Sequence, residues 1–249
     1  MSIFGFLKRE KETLVPLSGL GLRCDMHSHL LPAVDDGSAS TDDSLALIDG
    51  LLNAGYRKLI LTPHVMAGFY NNTYKSVKSA LAQLKTEVSS RQLNIELDAA
   101  AEYYIDYEFM QKLGKEPMLT FGDNMLLFEC SFVNRHDNFN ETVFEMQING
   151  YTPVLAHPER YLYWHGKIDH MRDLHDRGIL FQINILSIAK AYSKDVNNAA
   201  QALIDAGLVD FIGTDLHNAS QLNIISQTLV PQSVFDKLSS TKLLNNSLL

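Results

Sequence analysis

Hydrophobic positions along this chain fall into two alternating patterns. Short apolar runs at residues 21–26, 58–62, 95–100, 125–130, 153–156, 180–183 and 210–213 predict strands. Between them, apolar residues recur at three- and four-residue steps and predict helices. Residues 40–54 place Leu45, Ile48, Leu51 and Leu52 on one face, with Ser40 or Thr41 as N-cap and Gly55 just past the end. Residues 74–90 align Val77, Leu81, Leu84 and Val88, and residues 139–149, 168–177 and 197–206 behave alike. A further helix is expected from Gln221 onward. Strand–helix alternation of this kind predicts parallel β-structure with helical crossovers. No linker-like stretch interrupts it, so a single α/β domain over residues 21–249 is expected, preceded by an N-terminal tail over 1–20. The 249 residues suit a TIM-like barrel. An open doubly wound sheet is the alternative, weakened because no Gly-rich fingerprint follows the first strand.

Composition narrows the partners. Lys+Arg 21 against Asp+Glu 29 gives a net charge of −8, which argues against a nucleic-acid partner. No run of 18 apolar residues exists, so no membrane span is expected. The first residues lack a secretory pattern. Ile3, Phe4, Phe6 and Leu7 are read as a frayed tail or a segment folded back on the core, rather than a membrane contact. Two cysteines, Cys24 and Cys130, are too few for a disulfide framework and read as buried thiols in a reducing, cytoplasmic setting.

Candidate chemistry gathers where the predicted strands end. The first runs into Asp25-Met26-His27-Ser28-His29, the second into Thr62-Pro63-His64 and the third into Ala101-Glu102-Tyr103-Tyr104. Later strands end in His157-Pro158-Glu159-Arg160-Tyr161, Asn184 and Thr214-Asp215-Leu216-His217. In a parallel barrel these ends share one face. Residues two apart in extended chain point the same way, so His27 with His29 could grip one ion, as could Asp215 with His217. Counting His27, His29, Asp36, His64, Glu102, His157, Asp215 and His217 gives more donors than one ion takes, and fits two or three. Each is weak alone: Asp35 and Asp36 before Gly37 read as a turn, and a lone histidine as a core or surface residue. Their joint placement reverses that balance. Of the other histidines, His170 and His175 read as solvated, while His136 and Arg135 could line the rim. Phe69, Tyr70, Tyr103, Tyr104, Tyr161 and Tyr163 are either loop packing or a wall for a ring-bearing substrate.

The set His27-Ser28-His29, Asp35-Asp36-Gly37, Thr62-Pro63-His64, Ala101-Glu102-Tyr103-Tyr104, Ala156–Tyr161 and Asp215-Leu216-His217-Asn218 resembles the polymerase-and-histidinol-phosphatase (PHP) superfamily. Within it, the match is to bacterial capsule- and exopolysaccharide-locus protein-tyrosine phosphatases. The resemblance implies a distorted (β/α)7 barrel and two or three metal ions: manganese first, with iron or magnesium as alternatives. It implies that His27, His29, Glu102 and Asp215 hold one ion and that Glu102 bridges to a second with His157. Asp36, His64 and His217 would hold the third. Arg160 would bind the phosphate, with Tyr161 beside it. The family's second arginine, a few residues after Asp-x-His-Asn, is missing here, and Arg135 is the candidate substitute. The implied reaction is attack of a metal-bound hydroxide on phosphotyrosine, with His217, His64 or water protonating the leaving group. The implied partner is a tyrosine kinase of a polysaccharide-export system, and a homo-oligomer is compatible. Rivals are a histidinol- or sugar-phosphate phosphatase, a carbon–nitrogen hydrolase lacking its usual lysine, and a weakly active metal-binding regulator. A cysteine phosphatase needs Arg six residues after the nucleophile; Leu30 and His136 stand there, which rejects it.

Overall fold

The computed structural model describes residues 12–249. Ile3, Phe4, Phe6 and Leu7 lie outside the described residues. Strand β1 (Leu14–Pro16) comes first, then β2 (Cys24–Asp25), helix α1 (Thr41–Asn53), β3 (Lys58–Leu61), β4 (His64–Val65) and α2 (Tyr74–Ser90). Next are β5 (Glu96–Ala99), β6 (Glu102–Tyr104), α3 (Tyr107–Lys112), β7 (Met125–Glu129), α4 (Phe139–Ile148), β8 (Thr152–Ala156) and α5 (Ile168–Asp176). The chain closes with β9 (Leu180–Asn184), α6 (Ile185–Ile188), α7 (Lys194–Asp205), β10 (Phe211–Gly213), α8 (Ala219–Ser226), β11 (Leu229–Pro231) and α9 (Gln232–Ser240).

The expected parallel architecture is present, as two sheets. One has the order β10-β9-β8-β7-β6-β4 and the other β2-β3-β5, and every pairing within them is parallel. The division falls between β3 and β4, at Thr62-Pro63, and between β5 and β6, at Ala100-Ala101. Proline has no N–H for a ladder, so the strand predicted over 58–62 pairs with β5 before Pro63 and resumes against β6 after it.

Alternate strand residues divide between two cores. Ile60, Leu127, Val154 and Phe211 face Cys24 and Met26 on one side. Leu59, Leu61, Leu126, Phe128, Leu155 and Phe181 face the helices on the other. Burial on both faces explains why these strands read as continuous apolar runs. The helices start where the sequence offers caps: Ser40 accepts from Asp43 N, Thr73 from Ser76 N and Ser193 from Val196 N. Ser193 also explains why α7 begins before the expected residue 197.

Three expectations change. The first strand is shorter than 21–26, because Gly21 takes a left-handed conformation at φ 64° and ends a short helical turn. Residues 14–20, expected in the tail, belong to the body: β1 pairs antiparallel with β11, and Leu17 is buried. The expected C-terminal helix is two helices separated by β11, which ends at Pro231. Among the described residues no helix is long and apolar enough to cross a membrane.

Strands β2 and β10 do not pair directly, but a buried side chain spans them. Asn245 Nδ2 donates to Cys24 O and Ile212 O, and its Oδ1 accepts from Ile212 N. Asn245→Ala leaves these backbone groups buried and unpaired. It is expected to cost about 2–4 kcal/mol, read as a lower denaturant midpoint.

Candidate active site

The strand ends place the polar residues of the sequence motifs in one cluster. His27, His29, Glu102 and His157 are buried, and His64 and His217 are partly exposed. Two of the strand-end residues carry backbone strain: His157 has φ 36° and Asp215 φ 50°. Left-handed non-glycine residues cost about 1–3 kcal/mol and persist where the surroundings impose them. At Asp215 the imposing contact is its N–H to His27 O.

The loop after His29 is built around that residue. Asp35 Oδ2 accepts from His29 Nδ1 at 2.8 Å and from His64 N, while Asp35 Oδ1 accepts from Gly37 N. A Cβ on Gly37 would lie 2.0 Å from His29 O, so only glycine lets the loop close. Asp35 is thus both a turn residue and the bracket of His29, a second role the sequence reading did not give it. Burial disfavours its charge, but His29 and the two N–H groups hold its pKa down at about 2.

Donor spacing fits metal cations. His27 Nε2 and His29 Nε2 are 3.2 Å apart. Asp215 Oδ1 lies 3.5 and 3.3 Å from them, and Glu102 Oε2 lies 3.4 Å from each. Donors about 2.1 Å from a shared ion in a tetrahedral shell would be about 3.4 Å apart. His157 Nε2 is 2.9 Å from Glu102 Oε1. Asp36 Oδ1 is 3.5 Å from His64 Nε2 and 3.7 Å from His217 Nε2, and His29 falls in the same group. Glu129 completes a further group with His64 and Glu102, its Oε1 3.1 Å from His64 Nδ1. The sequence reading missed Glu129. Its signal was its place at the end of a predicted strand, in register with Tyr104 of the Glu102 segment.

The electrostatics agree with that fit. Asp36, Glu102, Glu129 and Asp215 bring four carboxylates together, with Arg160 the guanidinium on the cavity wall. Burial opposes charge on His27, His29 and His64, yet the carboxylates outweigh it. His64 rises to about 10, chiefly through Glu102, and His29 rises well above its ordinary range through Asp215 and Asp35. Glu102 and Asp215 fall well below the usual carboxylate range despite burial, with His27 the leading partner of each. His217 goes the other way, lowered by burial and by His29. A field that draws protons onto buried imidazoles also favours metal cations.

Above the cluster opens a cavity of about 650 Å³. Arg160 lines it, with Nη1 3.3 Å from Asp215 Oδ2 and its guanidinium carbon 4.2 Å from the ring centre of Phe132 and 5.0 Å from that of Tyr192. Tyr70 and Tyr104 also line it, and Tyr70 stacks on His64. The other aromatic candidates divide: Tyr103 and Tyr161 are core residues, and Phe69 is exposed. Tyr161 is fully buried, its hydroxyl donating to Ala156 O and accepting from Cys130 N, so it offers no surface to a substrate. Arg135 is exposed and does not line the cavity. Where the second arginine was expected, Gln221 lines the cavity and accepts from His217 N. His175 is not merely solvated: it pairs with Asp210 at 3.0 Å.

Both thiols are buried. Burial pushes Cys24 up to about 12, and burial with Glu129 pushes Cys130 up as well. Neither forms a thiolate near neutral pH. Replacing both by Ala is therefore expected to lower the melting temperature and leave turnover largely intact. Loss of turnover in a well-folded double mutant would revive a cysteine nucleophile.

Residues 23–223 match the family described as capsular polysaccharide synthesis, CpsB/CapC. The chain is 30% identical over 204 residues to the tyrosine-protein phosphatase YwqE of Bacillus subtilis, covering 82% of this chain and 80% of that one. It is 26% identical over 200 residues to the tyrosine-protein phosphatase CpsB of Streptococcus pneumoniae, covering 78% and 82%. Among solved structures it is similar, with TM-score 0.79, 29% identity and 90% coverage of each chain, to one from work on YwqE and CpsB, described there as unique metal-dependent tyrosine phosphatases. The matched span holds most of the chain and every donor of the cluster, and the protein belongs to the CpsB/CapC family of capsular polysaccharide synthesis.

Proposed function

We propose that this protein is a metal-dependent protein-tyrosine phosphatase, acting in the cytoplasm on a tyrosine kinase of a polysaccharide-export system. One observation carries the reading: a dense set of His and carboxylate donors lies beneath a cavity walled by aromatic rings and Arg160. The family and the phosphatases it is similar to support the same chemistry.

In this reading His27, His29, Glu102 and Asp215 hold one ion. Glu102, His157 and Glu129 serve a second, and Asp36, His64 and His217 a third, with manganese the leading candidate. Bound ions would lower the pKa of a water and neutralise charge on the phosphoryl oxygens. Arg160 would clamp two phosphoryl oxygens with its planar fork. Tyr70 and Tyr104 would flank the substrate ring. His217 Nδ1 is spent on Asp215 O and His64 Nδ1 faces Glu102 and Glu129, so with Nε2 given to an ion neither has a free proton for the leaving group. A phenol with an ordinary pKa of about 10 can take its proton from water. His64 and His217 then serve as ligands rather than acids.

The scaffold of this proposal is a closed seven-stranded barrel. Asn245, the Ser28–Leu216 bridge and the Thr214–Asp25 hydrogen bonds, which join β2 and the residues after it to β10 and the residues after it, support it.

Two measurements test the reading. Metal analysis would accompany turnover of a phosphotyrosine peptide, a phosphoserine peptide and histidinol phosphate side by side. Preference for histidinol phosphate, or no phosphotyrosine turnover with ions bound, would overturn it. The missing second arginine favours a weakly active regulator as second reading, and slow turnover on every substrate would select it. Replacing Asp36, His64 or His217 by Ala is expected to lower metal content by about one ion. Unchanged stoichiometry in all three would break up that group.

A further inference from the structure

Asp215 divides its two oxygens. Oδ1 faces the imidazoles of His27 and His29. Oδ2 faces away and accepts from Asn184 Nδ2 at 2.7 Å and Arg160 Nη1 at 3.3 Å. From Oδ2 a line of buried amides leads back to His27. Gln182 Nε2 donates to Asn184 Oδ1 at 2.8 Å, and Gln182 Oε1 lies 2.7 Å from His27 Nδ1. Gln182, Asn184 and His27 are fully buried.

The polarity of this line is set from one end. Asp215 Oδ2 already faces the Arg160 guanidinium, a group that can only donate, so this oxygen is an acceptor. Asn184 must therefore turn its NH₂ to Asp215 and its carbonyl to Gln182. Gln182 must then turn its NH₂ to Asn184 and its carbonyl to His27. His27 completes the contact in one way, with a proton on Nδ1, and its Nε2 is left to the cluster.

The same line is fastened to the segment that carries Arg160. Asn184 N donates to Glu159 Oε1 at 2.9 Å, and the Ser187 hydroxyl donates to the same oxygen at 2.7 Å. Glu159 is fully buried and directly precedes Arg160. Gly213 keeps the space open: a Cβ there would lie 2.7 Å from Gln182 Nε2 and 2.9 Å from His27 Cβ.

We propose that Gln182 and Asn184 are positioning residues, an amide relay through which Asp215 locks His27 in the tautomer that ligates through Nε2, with Glu159 tying the relay to Arg160. The inference rests on the reading of the cluster as a metal-dependent phosphatase centre. Fixing the second nitrogen of a ligating histidine sets its orientation, and losing that partner typically costs about 10–100-fold in metal affinity.

The test uses Gln182→Met, which keeps size and removes both hydrogen bonds, and Gln182→Glu, which keeps an acceptor for His27. Mn²⁺ affinity is measured by chelator competition. The His27 tautomer is read by nitrogen NMR in metal-free protein, at a pH where the ring is neutral. Gln182→Met is expected to weaken Mn²⁺ binding by about 10–100-fold and to mix the tautomers. Gln182→Glu should keep the Nδ1–H tautomer and most of the affinity, a recovery that loss of packing alone would not predict. Wild-type affinity and one tautomer in folded Gln182→Met would overturn the relay. So would a Gln182→Glu variant with a mixed tautomer, a result that decides the matter even if Gln182→Met does not fold. Wild-type protein that binds Mn²⁺ but hydrolyses no phosphotyrosine would sink the phosphatase reading and leave the relay standing.

Discussion

Dialysis against a chelator is expected to abolish phosphotyrosine hydrolysis, and added Mn²⁺ or Fe to restore it. The charge of the site gives the reason. Asp36, Glu102, Glu129 and Asp215 converge beneath the cavity, with Arg160 the cation on its wall. Such a site repels a phosphate dianion unless cations reverse its field. The sign of the pH dependence follows. His29, raised well above its ordinary range, and His64, raised to about 10, hold protons near neutrality, so metal uptake must release protons. Apparent metal affinity is then expected to fall as pH drops, which calorimetry in buffers of different ionisation enthalpy would detect. Full turnover in a verified metal-free sample would end this account.

Arg160→Ala is expected to keep the fold and the bound metals while lowering kcat/KM by about two to three orders of magnitude, the usual loss for one transition-state donor. Three contacts hold the side chain ready: Asp215 at 3.3 Å and the rings of Phe132 and Tyr192, 4.2 and 5.0 Å from its guanidinium carbon. Burial works against its charge, but Asp215 more than compensates and raises its pKa, so it stays a guanidinium. Arg160→Lys should recover only part of the loss, because an ammonium is a single point of charge and does not fork across two oxygens. No arginine occurs between Asn218 and Leu222, and Gln221 faces the cavity there. Arg135 is exposed and does not line the cavity, so it supplies no ready second clamp. Kinetics near wild type for Arg160→Ala, with inhibition by inorganic phosphate unchanged, would reduce the residue to a structural partner of Asp215.

Much of this protein was legible in its sequence because the signals were local. Continuous apolar runs marked the main strands, apolar residues three and four apart marked the helices, and Ser40 as a cap candidate put the start of α1 within a residue. His-x-His and Asp-x-His are local too: two-residue spacing in extended chain puts both side chains on one side. Parallel strands then carried His64, Glu102, His157 and Asp215 to one cluster. What the sequence left open depends on partners distant along the chain. Glu129 read as the end of an apolar run until β6 and β7 paired beside Glu102. Tyr161 read as a substrate contact, but its hydroxyl is taken by Ala156 and Cys130, across a packing choice no local pattern encodes. Asp35 became the bracket of His29 only because Gly37 let the loop fold back. The amide line from Asp215 through Asn184 and Gln182 to His27 joins residues 27 and 215 at opposite ends of the chain. Sequence determined the donor types and the strand ends that carry them. Tertiary structure decided which oxygen and which nitrogen each donor presents, because those choices are made by hydrogen bonds between segments that only folding brings together.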